Sequence, residues 1–85
     1  MTGRVVLKVE GKLMGRWVDE LRRSAAVVLD GDEAALAVDL SGLDFADRDG
    51  TALLGALHAC GARLTNCSAY AEAQLRDMDV ACGEA

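Results

Sequence analysis

The fold is decided by one apolar stretch of the sequence, residues 35–40, which spell ALAVDL. A nearly continuous apolar run of this length predicts a strand buried on both faces of a parallel sheet. A loop follows at residues 41–44 (SGLD), because Ser, Gly and Asp favour turns. We therefore expect a buried central strand that ends near residue 40.

The polar run after this strand predicts a helix. Phe45 and Ala46 are expected to return the chain to the interior, and residues 47–50 (DRDG) to open a helix over residues 51–59. Its buried stripe is predicted to be Leu53, Leu54 and Leu57. Gly61 is expected to end this segment, since glycine commonly follows the last turn of a helix.

The segments on either side continue the alternation of strand and helix. Val5, Leu7 and Val9 alternate with other residues, which predicts a half-buried strand, and from Arg16 the apolar spacing changes to three and four. The inward residues of this first helix are predicted to be Trp17, Val18, Leu21, Ala25, Val28 and Leu29. Further on we expect a short strand at residues 63–67, Ser68 as an N-cap, a helix over residues 69–78 and a frayed tail at 79–85.

Strand and helix in regular alternation predict an α/β fold. We expect one domain over residues 1–85, with a small, mostly parallel sheet of three strands, or of four, and three helices on its faces. Such a sheet leaves two edges open, and open edges favour association. With 15 Ala and no Ile among 85 residues, the core is thin, which also favours a homodimer.

Charge and hydropathy exclude several kinds of partner. The net charge is −5 and the isoelectric point is about 4.6, so a phosphate-neutralising nucleic-acid surface and an acidic membrane are both disfavoured. The only apolar run near the amino terminus, residues 5–7, is ended by Lys8, so neither a signal peptide nor a membrane span is predicted.

Residues that carry chemistry are sparse. Cys60, Cys67 and Cys82 match no zinc or redox spacing and are expected to be reduced thiols in a cytoplasm. His58, the one histidine, is expected to face solvent or to be structural, and no glycine-rich phosphate loop occurs. We expect no enzymatic activity, no metal site and no cofactor.

The densest polar feature is Asp44, Asp47, Arg48 and Asp49, between the central strand and the second helix. A carboxylate there caps the helix, whereas open α/β sheets also bind partners and ligands at the carboxyl ends of their strands. Both interpretations can hold together. A phosphorylated aspartate of the receiver-domain kind is disfavoured, because no acidic pair follows the first strand and no lysine follows Lys12.

Residues 38–54, VDLSGLDFADRDGTALL, resemble the signature of the STAS domain, found in bacterial anti-sigma factor antagonists and in the cytoplasmic tails of sulfate transporters. The family pattern is an apolar strand ending in Asp-Leu-Ser-Gly, followed by Asp-Ser-Ser-Gly at the start of a helix. The resemblance extends over about residues 5–78. The family usually has one more strand before Val5 and often another after the last helix, so we expect a second copy or a partner at the sheet edges.

The resemblance implies a docking surface for an anti-sigma factor or serine kinase, which phosphorylation of the second serine would release. Asp47 and Gly50 match the family's aspartate and glycine, and Arg48 and Asp49 fall on its two serines. The phospho-acceptor position is thus Asp49, which a serine kinase cannot phosphorylate. Thr51, the nearest hydroxyl, is a weak substitute.

We therefore expect a cytoplasmic, bacterial, STAS-like domain that acts in signal transduction and transcription regulation by protein contact. Its expected contact residues are Asp47, Arg48, Asp49, Gly50 and Thr51, and it is expected to form a homodimer. Two alternatives stay open. One is a module that binds a nucleotide, an anion or another small ligand, and the other is a structural subunit of a homo-oligomer.

Overall fold

The structure, a computed structural model, describes residues 3–30, 34–80 and 82. Its elements are β1 (Gly3–Leu13), α1 (Arg16–Leu29), β2 (Ala34–Ala46), α2 (Arg48–Ala59), β3 (Arg63–Thr65) and α3 (Ala69–Asp77). The strands form one sheet in the order β1-β2-β3, and both pairings are parallel. The predicted α/β fold with a small parallel sheet and three helices is confirmed, and the described residues contain no fourth strand.

All three helices lie on one face of the sheet. A single buried cluster joins Leu36, Val38 and Leu40 of β2 to side chains of α1, α2 and α3. The strand order explains this, because right-handed crossovers that step in one direction put successive helices on the same side. Ala37, whose side chain points the other way, is buried but lies outside that cluster. The helices were expected on the faces of the sheet, and among the described residues they lie on one face only.

The middle strand runs straight through residues 41–44, where the sequence predicts a loop. Two β-bulges permit this: the register shifts between Lys8 and Glu10 and again between Gly11 and Lys12, and each shift adds one residue to β2. A bulge inserts one residue into the two-residue alternation. The buried side chains in this part of β2 therefore recur at every third position, at Leu40, Leu43 and Ala46.

Two aromatic side chains that were expected inside are exposed. Trp17 is 53% exposed, with the Arg16 guanidinium 4.9 Å from its ring centroid. The residues that α1 buries are Val18, Leu21 and Ala25. Trp17 precedes this stripe by one residue, a rotation of about 100°, and so falls on its flank. Phe45 is 40% exposed because it lies between two inward positions of the bulged strand, and its ring packs against Tyr70.

The last helix is tied to the middle strand at its amino end. Ser68 is its N-cap, as predicted, and its hydroxyl accepts the Ala71 N–H at 3.1 Å. The same hydroxyl donates to the Leu43 carbonyl at 2.6 Å, and the Ser68 N–H donates to the Leu40 carbonyl at 3.1 Å. These bonds satisfy backbone groups of β2 at its bulges and hold α3 against them.

Cys67 and Cys82 form a disulfide, so the prediction of reduced thiols was wrong for this pair. After α3 the chain reverses at Asp79, whose φ is 57°, and the Val80 N–H donates to the Leu75 carbonyl at 2.9 Å. This reversal brings the two cysteine Cα atoms to 6.2 Å, within the range that a disulfide spans. Cys60 is a free, exposed thiol.

The disulfide joins part of the predicted frayed tail to the body of the domain. Asp79, Val80 and Cys82 belong to that tail and are described, and Val80 and Cys82 pack against the core cluster. The remaining tail residues, 81 and 83–85, lie outside the described residues.

Candidate functional site

The candidate site is the acidic turn, defined here as residues 47–51, and it begins where β1 and β2 end together. Leu13 and Ala46 are the last paired residues of the two strands. The Asp47 N–H donates to the Leu13 carbonyl at 3.2 Å, and the Tyr70 hydroxyl bonds both the N–H and the carbonyl of Ala46 at 3.0 Å. Three elements thus fix where the turn starts.

Asp47 is the N-cap of α2. Its Oδ1 accepts the Gly50 N–H at 2.7 Å, and its carbonyl accepts the Thr51 N–H at 2.8 Å. A side-chain cap of this kind contributes about 1 kcal/mol to stability, and the carboxylate also faces the positive end of the helix dipole. The cap extends α2 to Arg48, three residues earlier than the sequence predicts.

Gly50 is buried where α2 meets the end of β1. A Cβ at this position would lie against the Leu13 carbonyl oxygen, 3.0 Å from Leu13 Cγ and 3.3 Å from Asp47 Oδ1. Only glycine leaves room for the helix to begin this close to the strand. The Asp-x-x-Gly spacing therefore has a local physical reason, in which Asp47 and Gly50 build the turn.

The other members of the acidic turn face solvent. Arg48 and Asp49 are exposed and Thr51 is half-buried. Within the residues that the structure describes, no ion pair or side-chain hydrogen bond engages Arg48 or Asp49. Asp44, the remaining acidic residue singled out in the sequence, is exposed on the bulged part of β2.

Exposed apolar side chains flank the acidic turn. Met14, directly after the paired Leu13, is 41% exposed, and Phe45, directly before the paired Ala46, is 40% exposed. Aromatic residues, Met and Arg are the residue types enriched in protein contact surfaces. His58, in the last turn of α2, is exposed at the other end of the helix.

Two of the backbone N–H groups at the start of α2 that could bind an anion already donate to Asp47. The Asp47 carboxylate occupies the Gly50 N–H and its carbonyl occupies the Thr51 N–H. A phosphate would meet the negative charges of Asp47 and Asp49 at the only donors that remain in the first turn. The geometry therefore disfavours a phosphate ligand at this place.

Sequence reasoning did not single out Asp39, which links two strands. Its Oδ1 accepts the Ser41 N–H at 2.9 Å, and its Oδ2 accepts from Asn66 Nδ2 at 3.2 Å. The backbone hydrogen bond from Ser41 is the main reason that the pKa of Asp39 lies below its usual value, and Asn66 and Lys8 act in the same direction. Asn66 itself has a φ of 51°, a conformation that asparagine tolerates.

Comparison with protein-family models and with curated proteins finds no match for this chain. No helix in the described part of the chain is long and apolar enough to cross a membrane. Among the same residues, no group of three or more His, Cys, Asp or Glu side chains is arranged to hold a metal ion.

Proposed function

We propose that this chain is a STAS-like regulatory domain, not an enzyme, that binds another protein in a bacterial pathway of transcription control. The proposed docking surface is the acidic turn, and the proposed partner is an anti-sigma factor or a serine kinase of that type. One observation carries the proposal. Arg48 and Asp49 project into solvent from a capped helix start, beside the exposed Met14 and Phe45.

Asp49 is proposed to keep the docking surface in a single state that phosphorylation does not change. The resemblance places a phosphorylated serine at this position, and a carboxylate carries about one negative charge against about 1.5–2 for a phosphoserine. We therefore expect binding without regulation by phosphorylation. Asp49→Ser should create an acceptor, and incubation with the partner kinase and ATP should then add one phosphate, measured by intact mass. Unchanged mass together with unchanged binding would argue against descent from a phosphorylation switch.

The docking surface can be tested by reversing its exposed charges. We expect Arg48→Glu and Asp49→Lys each to weaken binding to the purified partner by about tenfold or more, measured by calorimetry, because opposed like charges replace matched ones. Arg23→Glu is the matched control, since Arg23 is an exposed cation on α1. Equal loss of binding in Arg48→Glu and Arg23→Glu, with no loss in Asp49→Lys, would show that overall charge, and not the acidic turn, governs the contact.

A nucleotide or anion module is the weaker candidate, since the carboxylates of the acidic turn repel phosphate. A thermal-shift comparison with ATP, GTP and inorganic phosphate separates the two proposals. We expect no stabilisation by any of them. Stabilisation that Asp49→Ser increases would favour the ligand-binding function instead.

A cytoplasmic location and a homodimer complete the proposal. The Cys67–Cys82 disulfide makes this location testable, because a reducing cytoplasm opens most disulfides and an oxidising compartment keeps them closed. Alkylation of intact cells before lysis tests the location. Labels on Cys60, Cys67 and Cys82 are expected for a cytoplasmic protein, whereas a label on Cys60 alone would indicate an oxidising compartment.

A further inference from the structure

One face of the sheet has no helix on it among the described residues, and it is called the open face here. Side chains alternate across a strand, so the register of the sheet defines its members. They are Arg4, Val6, Lys8 and Glu10 of β1, Ala35, Ala37 and Asp39 of β2, and Arg63 and Thr65 of β3. Parallel sheets are almost always covered on both faces, so a bare one calls for a second layer.

The positive and negative charges of the open face are segregated toward opposite ends of the strands. Arg4 and Arg63 lie toward the amino ends, where Arg4 pairs with Ala35 and Arg63 with Ala37. Both carboxylates, Asp39 and Glu10, lie toward the carboxyl ends. Lys8 is the exception, and its charge is shared with Glu10 in an ion pair of 3.6 Å. One half of the face is thus positive and the other carries all the negative charge.

The middle of the open face is a shallow apolar trough. Val6 is 54% exposed, while its neighbour Ala37 is small and only 4% exposed. A cavity of about 50 Å³ lies here, lined by Arg4, Val6, Ala37, Asp39, Arg63, Thr65 and Asn66. Long side chains on the outer strands and alanine on the middle strand leave room for side chains from an opposing surface.

We propose that a second copy of this chain docks on the open face with its strands antiparallel to the first. A two-fold axis across the strands then sets Arg4 opposite Glu10 of the other copy and brings Arg63 near its Asp39. Each contact occurs twice, as a self-complementary interface requires. The chain as a whole carries −5, so two copies repel at long range unless their contact pairs opposite charges. This arrangement rests on the homodimer in the proposed function and is independent of the acidic turn.

The size of the open face predicts a weak dimer. The open face spans seven residues of β1, five of β2 and three of β3, and at about 4.8 Å between strands and 3.3 Å per residue these cover roughly 240 Å² per copy. A standard interface buries about 800 Å² per partner. The dimer should therefore depend on protein concentration, and its exposed ion pairs should make it weaker in salt.

Sedimentation equilibrium of the full chain tests this, at loading concentrations from about 10 µM to about 1 mM and in about 50 mM and 500 mM salt. We expect a monomer–dimer equilibrium that salt weakens. Arg4→Glu with Arg63→Glu should weaken it by about tenfold or more, since four favourable contacts become repulsive. The matched control is Arg22→Glu with Arg23→Glu, the same charge change on the helical side.

A mixing experiment tests whether the open faces of two copies contact each other. Glu10→Lys with Asp39→Asn should also be monomeric, because it removes the negative half of the open face. An equimolar mixture of this variant with Arg4→Glu/Arg63→Glu should dimerise again. The carboxylate that replaces Arg4 then faces the lysine that replaces Glu10, and the native Glu10 and Asp39 of one variant face the native Arg4 and Arg63 of the other. Far-UV circular dichroism verifies that each variant is folded.

Three results would overturn the proposal. They are a monomer at every concentration, a dimer lost equally in the helical control, and a mixture that stays monomeric although both variants are folded. A monomer that still binds the anti-sigma partner through the acidic turn would remove the dimer and leave the docking function standing. Loss of partner binding with the dimer intact would remove the docking function and leave the dimer standing.

Discussion

The sharpest stability prediction concerns Gly50, where α2 begins against the end of β1. In Gly50→Ala the new methyl group lies against the Leu13 carbonyl oxygen, so either the helix start or the strand end must move. Leu13 is 1% exposed, and its carbonyl accepts the Asp47 N–H at 3.2 Å. Movement therefore disturbs a core side chain and stretches the bond that joins strand to helix.

The magnitude follows from two opposed terms. Overpacking of this kind costs about 1–3 kcal/mol, and a weakened hydrogen bond costs up to about 1 kcal/mol more. Alanine recovers about 0.5–1 kcal/mol of helix propensity. We expect Gly50→Ala to lower the free energy of unfolding by about 1–3 kcal/mol. At about 4–8 °C per kcal/mol for a domain of this size, the melting temperature should fall measurably.

Gly55 supplies the matched control, since it lies in the same helix. A Cβ there would meet only Met78, 3.5 Å from its Sδ and 3.7 Å from its Cε, which are ordinary contacts. Gly55→Ala should therefore be neutral or stabilising by up to about 1 kcal/mol. Urea unfolding followed by circular dichroism measures both variants. If Gly50→Ala proves as stable as Gly55→Ala, the close approach of α2 to β1 does not require glycine at position 50.

Three further predictions concern the tail, the strand link and the end of β2. Reduction, or Cys67→Ser, should lower the free energy of unfolding by about 3 kcal/mol through loss of the loop constraint, while Cys60→Ser should leave the urea midpoint unchanged. The folded-state pKa of Asp39 lies below its ordinary 3.8, so the carboxylate stabilises the fold at neutral pH and loses this effect as the pH falls below 3.8. Asp39→Asn should thus be less stable than the parent at pH 7, with the gap in urea midpoint narrowing toward about pH 3. Tyr70→Phe should lower the free energy of unfolding by about 1–3 kcal/mol, because it leaves the N–H and carbonyl of Ala46 without the hydroxyl that bonds both. An unchanged melting temperature would contradict this prediction.

Features that depend on local chemistry were predictable from the sequence. The spacing of Val18, Leu21 and Ala25 marks the buried stripe of α1, and the N-cap of α3 follows from Ser68 alone. Asp47 was correctly weighed as a cap, because an N-cap needs only the residues that follow it. Each of these features is decided within about one helical turn.

Features that depend on distant partners were not predictable in this way. The two bulges in β2 exist because of the register with β1, and they turn the loop-like residues 41–44 into strand. The disulfide depends on the reversal at Asp79, which no cysteine spacing reveals. Asp39 likewise gains its partner Asn66 only when β2 and β3 lie side by side. The acidic turn was found because its residues are consecutive.

Strand order that follows chain order has a consequence for folding during synthesis. β2 pairs with β1 and β3 pairs with β2, so each new strand adds to the one made just before it. The first βαβ unit can close before β3 leaves the ribosome, so the middle strand is already paired on one side when β3 arrives. Leu75 of α3 joins the core after all three strands have been made, since α3 follows β3 in the chain. The order of assembly can thus follow the order of translation.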